Sequence, residues 1–585
     1  MRAKTSKPER LLRNSPRFGS EIVALAVLTT LIFTPSLTID AFNPPKFAVF
    51  VSGVTYLGLR YWKVIVQGIV DKVVLLSFIL IFTILLLSLF ANTYSISERL
   101  FGIVGRNFGF ITLSALTLIG LYSFQVSKSK LTSPRQILNG LAITNIIVCI
   151  VFFLQESGVI FTEFQNDYGV LPSTLGNPNF LSAFLGISIL GTLNWTFQNK
   201  HIIPAVVIGV GAALYSLKII LISTSIQGLL ALASSITVLF LIFSLSYFSK
   251  FVNSLIFTFV GIVTIILVLS FLGYGPLGER LIGQTLKNRL VYWEIAIRMT
   301  LDSPFIGKGY DSYWDNYRLF ATKSNFEKLG GPVTSDSPHN IFLDLFVSGG
   351  VLLGFLYLSL FLLTILKASI QIYLDVKSRK FDLSKSSLYS IFLSTTAICL
   401  ISPFQIGLFV WLPIFIGVLL GLAASSNTSA EEKHNKIQGD SKGAASVVLG
   451  ISLLICNPIF AAIPMATEIR FRTAVENSSF EKLSNVALDW PFSGFRAISI
   501  AQGIYDSTLT ATRDPSDLED HTNKVNLMRM RALEIAAESV KINERSLEGW
   551  KFLLEKSLNT ETREIARQRL QGLDPTNPAW RFLPK

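Results

Sequence analysis

The sequence predicts an all-α, polytopic membrane protein of about 12–13 transmembrane helices, carrying one long loop outside the membrane and a C-terminal helical domain. Three observations lead there. Half of the 585 residues are hydrophobic and only 15% are charged, with a mean hydropathy of +0.52, the balance of a multi-spanning chain rather than of a soluble domain. Apolar runs close to the ~20 residues needed to cross the hydrocarbon of a bilayer recur almost continuously from Ile22 to Ile463. A hydrophilic stretch from Gly275 to Asn340 interrupts them, and beyond Ala466 the chain turns polar and charged.

Residues 1–20 form a basic N-terminus, where Arg2, Lys4, Lys7, Arg10, Arg13 and Arg17 stand against Glu9 alone. That is the signature of a cytoplasmic segment. The first run ends in TPSLTIDAFNPPK rather than in a small-residue cleavage site, so it reads as a retained helix. The transmembrane domain, residues 21–466, is expected to hold helices at Glu21–Leu37, Phe47–Arg60, Val73–Phe90, Phe108–Phe124, Ile137–Gln155, Phe180–Trp195, Ile202–Ile220, Leu229–Tyr247, Val252–Gly273, Ile341–Leu366, Leu388–Ile401, Gly407–Leu422 and Ala444–Ile463. Alternate loops are basic, first Arg60, Lys63 and Lys72, then Lys128, Lys130 and Arg135, and later Lys367, Lys377, Arg379, Lys380 and Lys385. The segment from Glu156 to Pro178 has Glu156, Glu163 and Asp167 but no Lys or Arg, as an external loop should. This pattern places the N-terminus in the cytoplasm, and the loop 274–340 and the tail 467–585 on the opposite side of the membrane. Lys218, beside the turn to Gln227, either snorkels to the outer interface or marks a broken helix lining a cavity. The net charge of +13 therefore speaks for orientation in a lipid bilayer and not for nucleic acid. Cys149, Cys399 and Cys456 lie far apart inside apolar runs, as small core residues do.

In the tail, RALEIAAESVKINERSLEGWKFLLEKS (Arg531 to Ser557) has apolar and small residues at helical spacing. Such helix pairs resemble tetratricopeptide units, and LDPTNPAW (Leu573 to Trp580) looks like the turn between repeats. An ordinary helical hairpin fits the same pattern.

The residues that could carry chemistry gather around the long loop. His339 stands where the chain re-enters the membrane, with Asp336 three residues before it and Asn340 after it. It reads either as an interfacial residue at a helix start or as a group able to take a proton from a hydroxyl near neutral pH. Arg289 and Arg298 flank Tyr292 and Trp293 at helical spacing, with Arg280 upstream. They suit an amphipathic helix on a membrane surface, and equally a planar fork for phosphate oxygens. Arg106, in FGIVGRNFGF, is either a solvated flank or a phosphate ligand. No Walker-type loop, paired-histidine zinc motif or nucleophile elbow is present. Gly307, Gly309, Gly330, Gly331, Gly349 and Gly350 are too loosely spaced for a phosphate cradle and read as turns or close helix contacts. The energy for a reaction would then have to reside in the substrate.

Three stretches together resemble the O-antigen ligase and polymerase superfamily of bacterial membrane glycosyltransferases. STLGNPNFLSAFLGISIL (Ser173 to Leu190) looks like the family's outer loop leading into a helix through Gly176, Asn177, Pro178 and Asn179. NRLVYWEIAIRMTLDSPFIGKGYDSY has Arg289, Trp293, Pro304, Gly307 and Gly309 where the family tends to have them. HNIFLDLFVSGGVLLG matches the family's histidine and asparagine motif through His339, Asn340 and Gly350. The chain departs from the pattern at Leu353, where a small residue is usual, and at STSIQG (Ser223 to Gly228), which lacks the frequent arginine. The resemblance implies transfer of a glycan from undecaprenyl diphosphate to a glycan, lipid or protein acceptor at the outer face of the cytoplasmic membrane. Inversion at the anomeric carbon is expected, without metal or cofactor. His339 and Arg289 are then the expected catalytic residues, and Arg106, Arg280, Asn177, Asn179, Trp293 and Asn340 the substrate-binding ones. The same superfamily includes polymerases that extend lipid-linked repeats, protein oligosaccharyltransferases, and members assigned to inorganic-carbon transport.

Overall fold

The computed structural model describes residues 17–69, 72–90, 95–160, 169–271, 274, 284–425, 439–511, 518–577 and 579–582. Arg280, Glu163, Asp167 and the basic residues before Arg17 lie outside the described residues. Every regular element among the described residues is an α-helix. In order they are α1 Phe18–Leu31, α2 Asn43–Arg60, α3 Trp62–Ile69, α4 Lys72–Phe90, α5 Ile96–Phe101, α6 Phe110–Lys128, α7 Pro134–Glu156, α8 Pro178–Gln198, α9 Ile203–Ile222, α10 Ile226–Tyr247, α11 Lys250–Phe271, α12 Gln284–Asp302, α13 Tyr313–Phe320, α14 Lys323–Leu329, α15 Ile341–Lys377, α16 Leu383–Cys399, α17 Ile406–Phe409, α18 Trp411–Ser425, α19 Gly439–Ile455, α20 Pro458–Glu476, α21 Phe480–Val486, α22 Gly494–Ala511, α23 Leu518–Ile542, α24 Leu547–Lys556, α25 Thr560–Leu573 and α26 Ala579–Phe582.

Among the described residues nine helices are long and apolar enough to cross a membrane, and Phe18–Leu31 and Val74–Phe90 are shorter apolar ones. Each apolar run expected from hydropathy carries a helix, although that expected over Glu21–Leu37 stops at Leu31, so the chain is an all-helical, multi-pass membrane protein. Local chemistry sets where helices begin. Ser133 opens α7 with a capping box to Gln136 and Pro134 at the first turn, and Asn457 caps α20 ahead of Pro458. The Asn457–Pro458 pair divides the single run expected over Ala444–Ile463, because proline cannot continue a preceding helix. α9 and α10 are separate continuous helices, and at the end of α9 Lys218 Nζ lies 3.0 Å from Glu156 Oε1.

The main apolar core unites the membrane helices other than α11. Within it Lys46 is fully buried, and its ammonium donates to the carbonyls of Thr29 (3.3 Å), Thr30 (2.8 Å) and Ile32 (2.7 Å), groups that the end of α1 leaves open. A second cluster, spanning Ala474 to Trp580, belongs to the C-terminal helices. A third joins α12, α13 and α14 to Val347 of α15. These last two groups meet at the same end of the bundle, where Asn543 Nδ2 bonds Asp315 Oδ2 (3.0 Å) and Glu98 Oε2 (3.3 Å).

Candidate active site

Residue chemistry divides α15 in two. Gly349 (φ −131°, ψ 19°) and Gly350 (φ 66°, ψ −163°) leave helical geometry, so Ile341 to Ser348 form a short limb set off from the long span that follows. The broken turn frees backbone groups that must find partners in a dry interior. The stretch Pro304 to Gly309 supplies them: Lys308 N donates to Val347 O (2.7 Å), Gly309 N to Ser348 O (3.1 Å), and Val351 N to Pro304 O (2.6 Å). Two glycines allow this approach. A Cβ on Gly307 (φ 71°) would stand 2.5 Å from Val347 O, and one on Gly350 would strike Pro304 O.

His339 sits just before that limb, held at φ 51°, a left-handed conformation that costs a histidine free energy. Asn340 caps the limb, its Oδ1 accepting from Leu343 N at 3.1 Å. The imidazole stacks on Tyr292 of α12, with ring centroids 5.8 Å apart and planes 26° from parallel. Arg289 lies one turn before Tyr292 on the same helix and is 5% exposed. Its Nε and Nη1, and His339 Nδ1, are buried with no hydrogen-bond partner among the described residues. Burial lowers Arg289 to about 10, Tyr292 working against it, which leaves the guanidinium charged at neutral pH. Burial also pushes His339 down to about 4; Asp336 opposes this, while Arg289 and Arg106 add to it. The imidazole is therefore neutral and has a lone pair to offer.

Arg106 approaches from the other side. Its Nη1 is 2.9 Å from Asp311 Oδ1 and donates to Asp336 O at 2.7 Å, and its Nη2 pairs with Asp344 on the limb. Burial alone would lower its pKa, but Asp311, Asp344 and Asp336 together raise it above the ordinary arginine range. Asp311 Oδ2 also accepts from Ile103 N (2.8 Å) and Phe108 N (3.4 Å), which fixes the loop carrying Arg106.

The structure thus brings together His339, Arg289, Asn340 and Arg106, with Trp293 on α12 packed against the main core. It sets Asn177 and Asn179 elsewhere: Asn177 Oδ1 accepts from Asn179 N (2.8 Å) at the start of α8, and Gly176 packs on Phe42. No hydrogen bond or ion pair among the described residues links them to His339 or Arg289. Arg298 is held by Glu294, Asn325 Oδ1 (3.0 Å) and Phe320 O (3.3 Å). Asp311 and Asp344 were not singled out in the sequence. A carboxylate inside the apolar run IFLDLFV is the signal that could have found Asp344.

An apolar cavity of about 660 Å³ lies beside the limb. Phe108, Ile341 and Leu345 line one end of it, beside Arg106 and the limb, and it continues between α4, α6, α15 and α18 past Tyr357 and Phe361 to Lys367.

No curated protein matches the chain. Residues 211–358, which contain Arg289, His339 and the double glycine, match the family model described as O-antigen ligase. The resemblance carried by the sequence motifs is borne out over that segment, and the chain is a multi-pass membrane protein bearing a domain of the O-antigen ligase superfamily.

Proposed function

We propose that the protein transfers a glycan from undecaprenyl diphosphate to an acceptor hydroxyl at the outer face of the cytoplasmic membrane, with inversion. The observation that carries this reading is the buried guanidinium of Arg289, whose Nε and Nη1 have no partner among the described residues, beside an imidazole in the same condition. A diphosphate supplies what they lack, because a guanidinium fork binds its oxygens in pairs and stabilises the charge that grows as it departs. The apolar cavity suits the polyprenyl tail. Basic loops at the opposite ends of the helices support the assignment of sidedness.

In the proposed step the acceptor oxygen bonds the anomeric carbon, and the bond from that carbon to the diphosphate breaks with its electron pair going to the lipid diphosphate. The acceptor proton passes to His339 and then to water. With its pKa near 4 the imidazole is a weak base on its own. An arriving diphosphate is an opposite charge for the protonated form and raises its proton affinity, so base strength develops with the donor in place. Arg106, committed to Asp311 and Asp344, is a positioning residue that fixes the limb and the Asp336 carbonyl.

Incubating purified protein with a glycan on undecaprenyl diphosphate and an acceptor tests the reading. Transfer to a second molecule supports a ligase; longer lipid-linked chains would show a polymerase instead, and a glycosylated polypeptide a protein oligosaccharyltransferase. Solute uptake without any glycan product would replace all three with transport.

A further inference from the structure

A second cavity, of about 670 Å³, lies between the hydrophilic loop and the C-terminal helices. The volume is that of a small-molecule site. One wall is Glu98, Ile103 and Val104, another is Trp314 and Asp315 with Asp336, and the third comes from the start of α22 and from the segment Asn543 to Glu555. Trp314 and Phe495 present aromatic surface to it, 41% and 76% exposed. Its polar groups include carboxylates, the Asn543 and Gln502 amides and serine hydroxyls, and Lys551 is the one basic lining residue among the described residues. Asn543 pins the walls by bonding Asp315 and Glu98 together.

We propose that this cleft binds the acceptor as a neutral or amine-bearing saccharide and delivers its hydroxyl to His339. The inference rests on the glycosyl-transfer reading above. Carboxylate and amide groups hydrogen-bond sugar hydroxyls, and flat aromatic faces cover the apolar side of a pyranose ring. An excess of acid over one lysine disfavours phosphate and carboxylate ligands, so the anionic donor belongs on the Arg289 side and a neutral acceptor on this one. Asp336 joins the two: it lines the cleft, its carbonyl is held by Arg106, and His339 follows three residues later. Burial pushes the Asp315 carboxyl up to about 6, with Asn543 and Arg545 opposing and Asp311 adding, which leaves near neutrality a protonated fraction able to donate as well as accept. A basic peptide would also meet favourable charge, but it would have no use for the paired aromatic walls.

The test uses the full-length protein in detergent and two separate measurements. Saccharide binding is read on an array of neutral, amino and phosphate- or carboxylate-bearing oligosaccharides, with lysine-rich peptides alongside. Donor engagement is read as retention of a fluorescent polyprenyl diphosphate. Neutral or amino oligosaccharides should bind, and Trp314→Ala should weaken them about tenfold. Ser499→Trp, which fills the cleft from an exposed lining position, should abolish saccharide binding while polyprenyl diphosphate is still retained. Binding of acidic sugars or of peptides in preference, or neutral-sugar binding indifferent to both substitutions, overturns the cleft assignment. So does an array on which nothing binds while the diphosphate does. Failure of the wild-type protein to retain polyprenyl diphosphate would instead strike the transfer reading itself.

Discussion

Arg289 is unusual in being nearly buried without a counter-ion among the described residues, and that fixes how its variants should behave. An unpaired buried charge costs stability. Arg289→Leu should therefore raise the thermal midpoint of the protein in detergent while lowering transfer at least about a hundredfold, the usual loss when a charge-stabilising group leaves an active site. Arg289→Lys should recover only part of the rate, since a point charge replaces a planar fork. His339→Ala should lower kcat about a hundredfold to ten-thousandfold. The acid limb of kcat/KM should fall near 4 rather than at the ordinary 6.5, and that of kcat higher, because the bound diphosphate favours the protonated ring. Asp336 raises the His339 pKa, so Asp336→Asn should move the kcat/KM limb further down; an upward move would remove Asp336 from the imidazole's electrostatics. His339, Arg289 and Trp293 are legible in the chain because an imidazole and arginines at a membrane boundary stand out against an apolar background. Asp344 is legible only as a carboxylate in an apolar run and Asp311 not at all, since the partner of both is Arg106, more than two hundred positions away in the chain.

The kink in α15 shows what hydropathy can and cannot read. A uniformly apolar run gives the helix and its start at Ile341, but the departure at Gly349 and Gly350 depends on backbone groups of Pro304 to Gly309. The glycines are legible only as sites of turn or close contact. At Gly350 the positive φ and the approach of Pro304 O act together, so Gly350→Ala should cost about 1–3 kcal/mol and displace the limb that carries His339. Loss of transfer together with a lower thermal midpoint is the expected result, and an unchanged midpoint would show that the limb does not depend on this packing. Arg106→Ala should be more damaging, about 3–5 kcal/mol, because it strands Asp311 and Asp344, 0% and 1% exposed in their side chains, without their cation.

Buried acid–base groups give the molecule opposite responses to pH at neighbouring places. Asp315, at the contact with the C-terminal helices, has its folded pKa raised from 3.8 to about 6 by burial. The folded form then holds more protons than the unfolded one between these values, so the stabilisation is complete below about 3.8 and is lost as pH rises through about 6. Glu98, bonded to the same Asn543, is raised in the same direction, first by burial and then by Asp315. His339 runs the other way: its folded pKa is lowered from 6.5 to about 4, so its stabilisation is present above 6.5 and is lost as pH falls toward 4. Hydrogen–deuterium exchange, corrected for intrinsic rates, should accordingly show residues 96–104 and 543–552 opening faster on going from pH 5 to pH 7. Residues 335–343 should be protected over the same change. Asp315→Asn, always neutral and still able to accept from Asn543, should weaken the first response, Glu98 supplying the remainder, and leave the second in place. Parallel changes in both segments would mean that one global equilibrium, and not two local protonations, governs the contact between the helical tail and the loop.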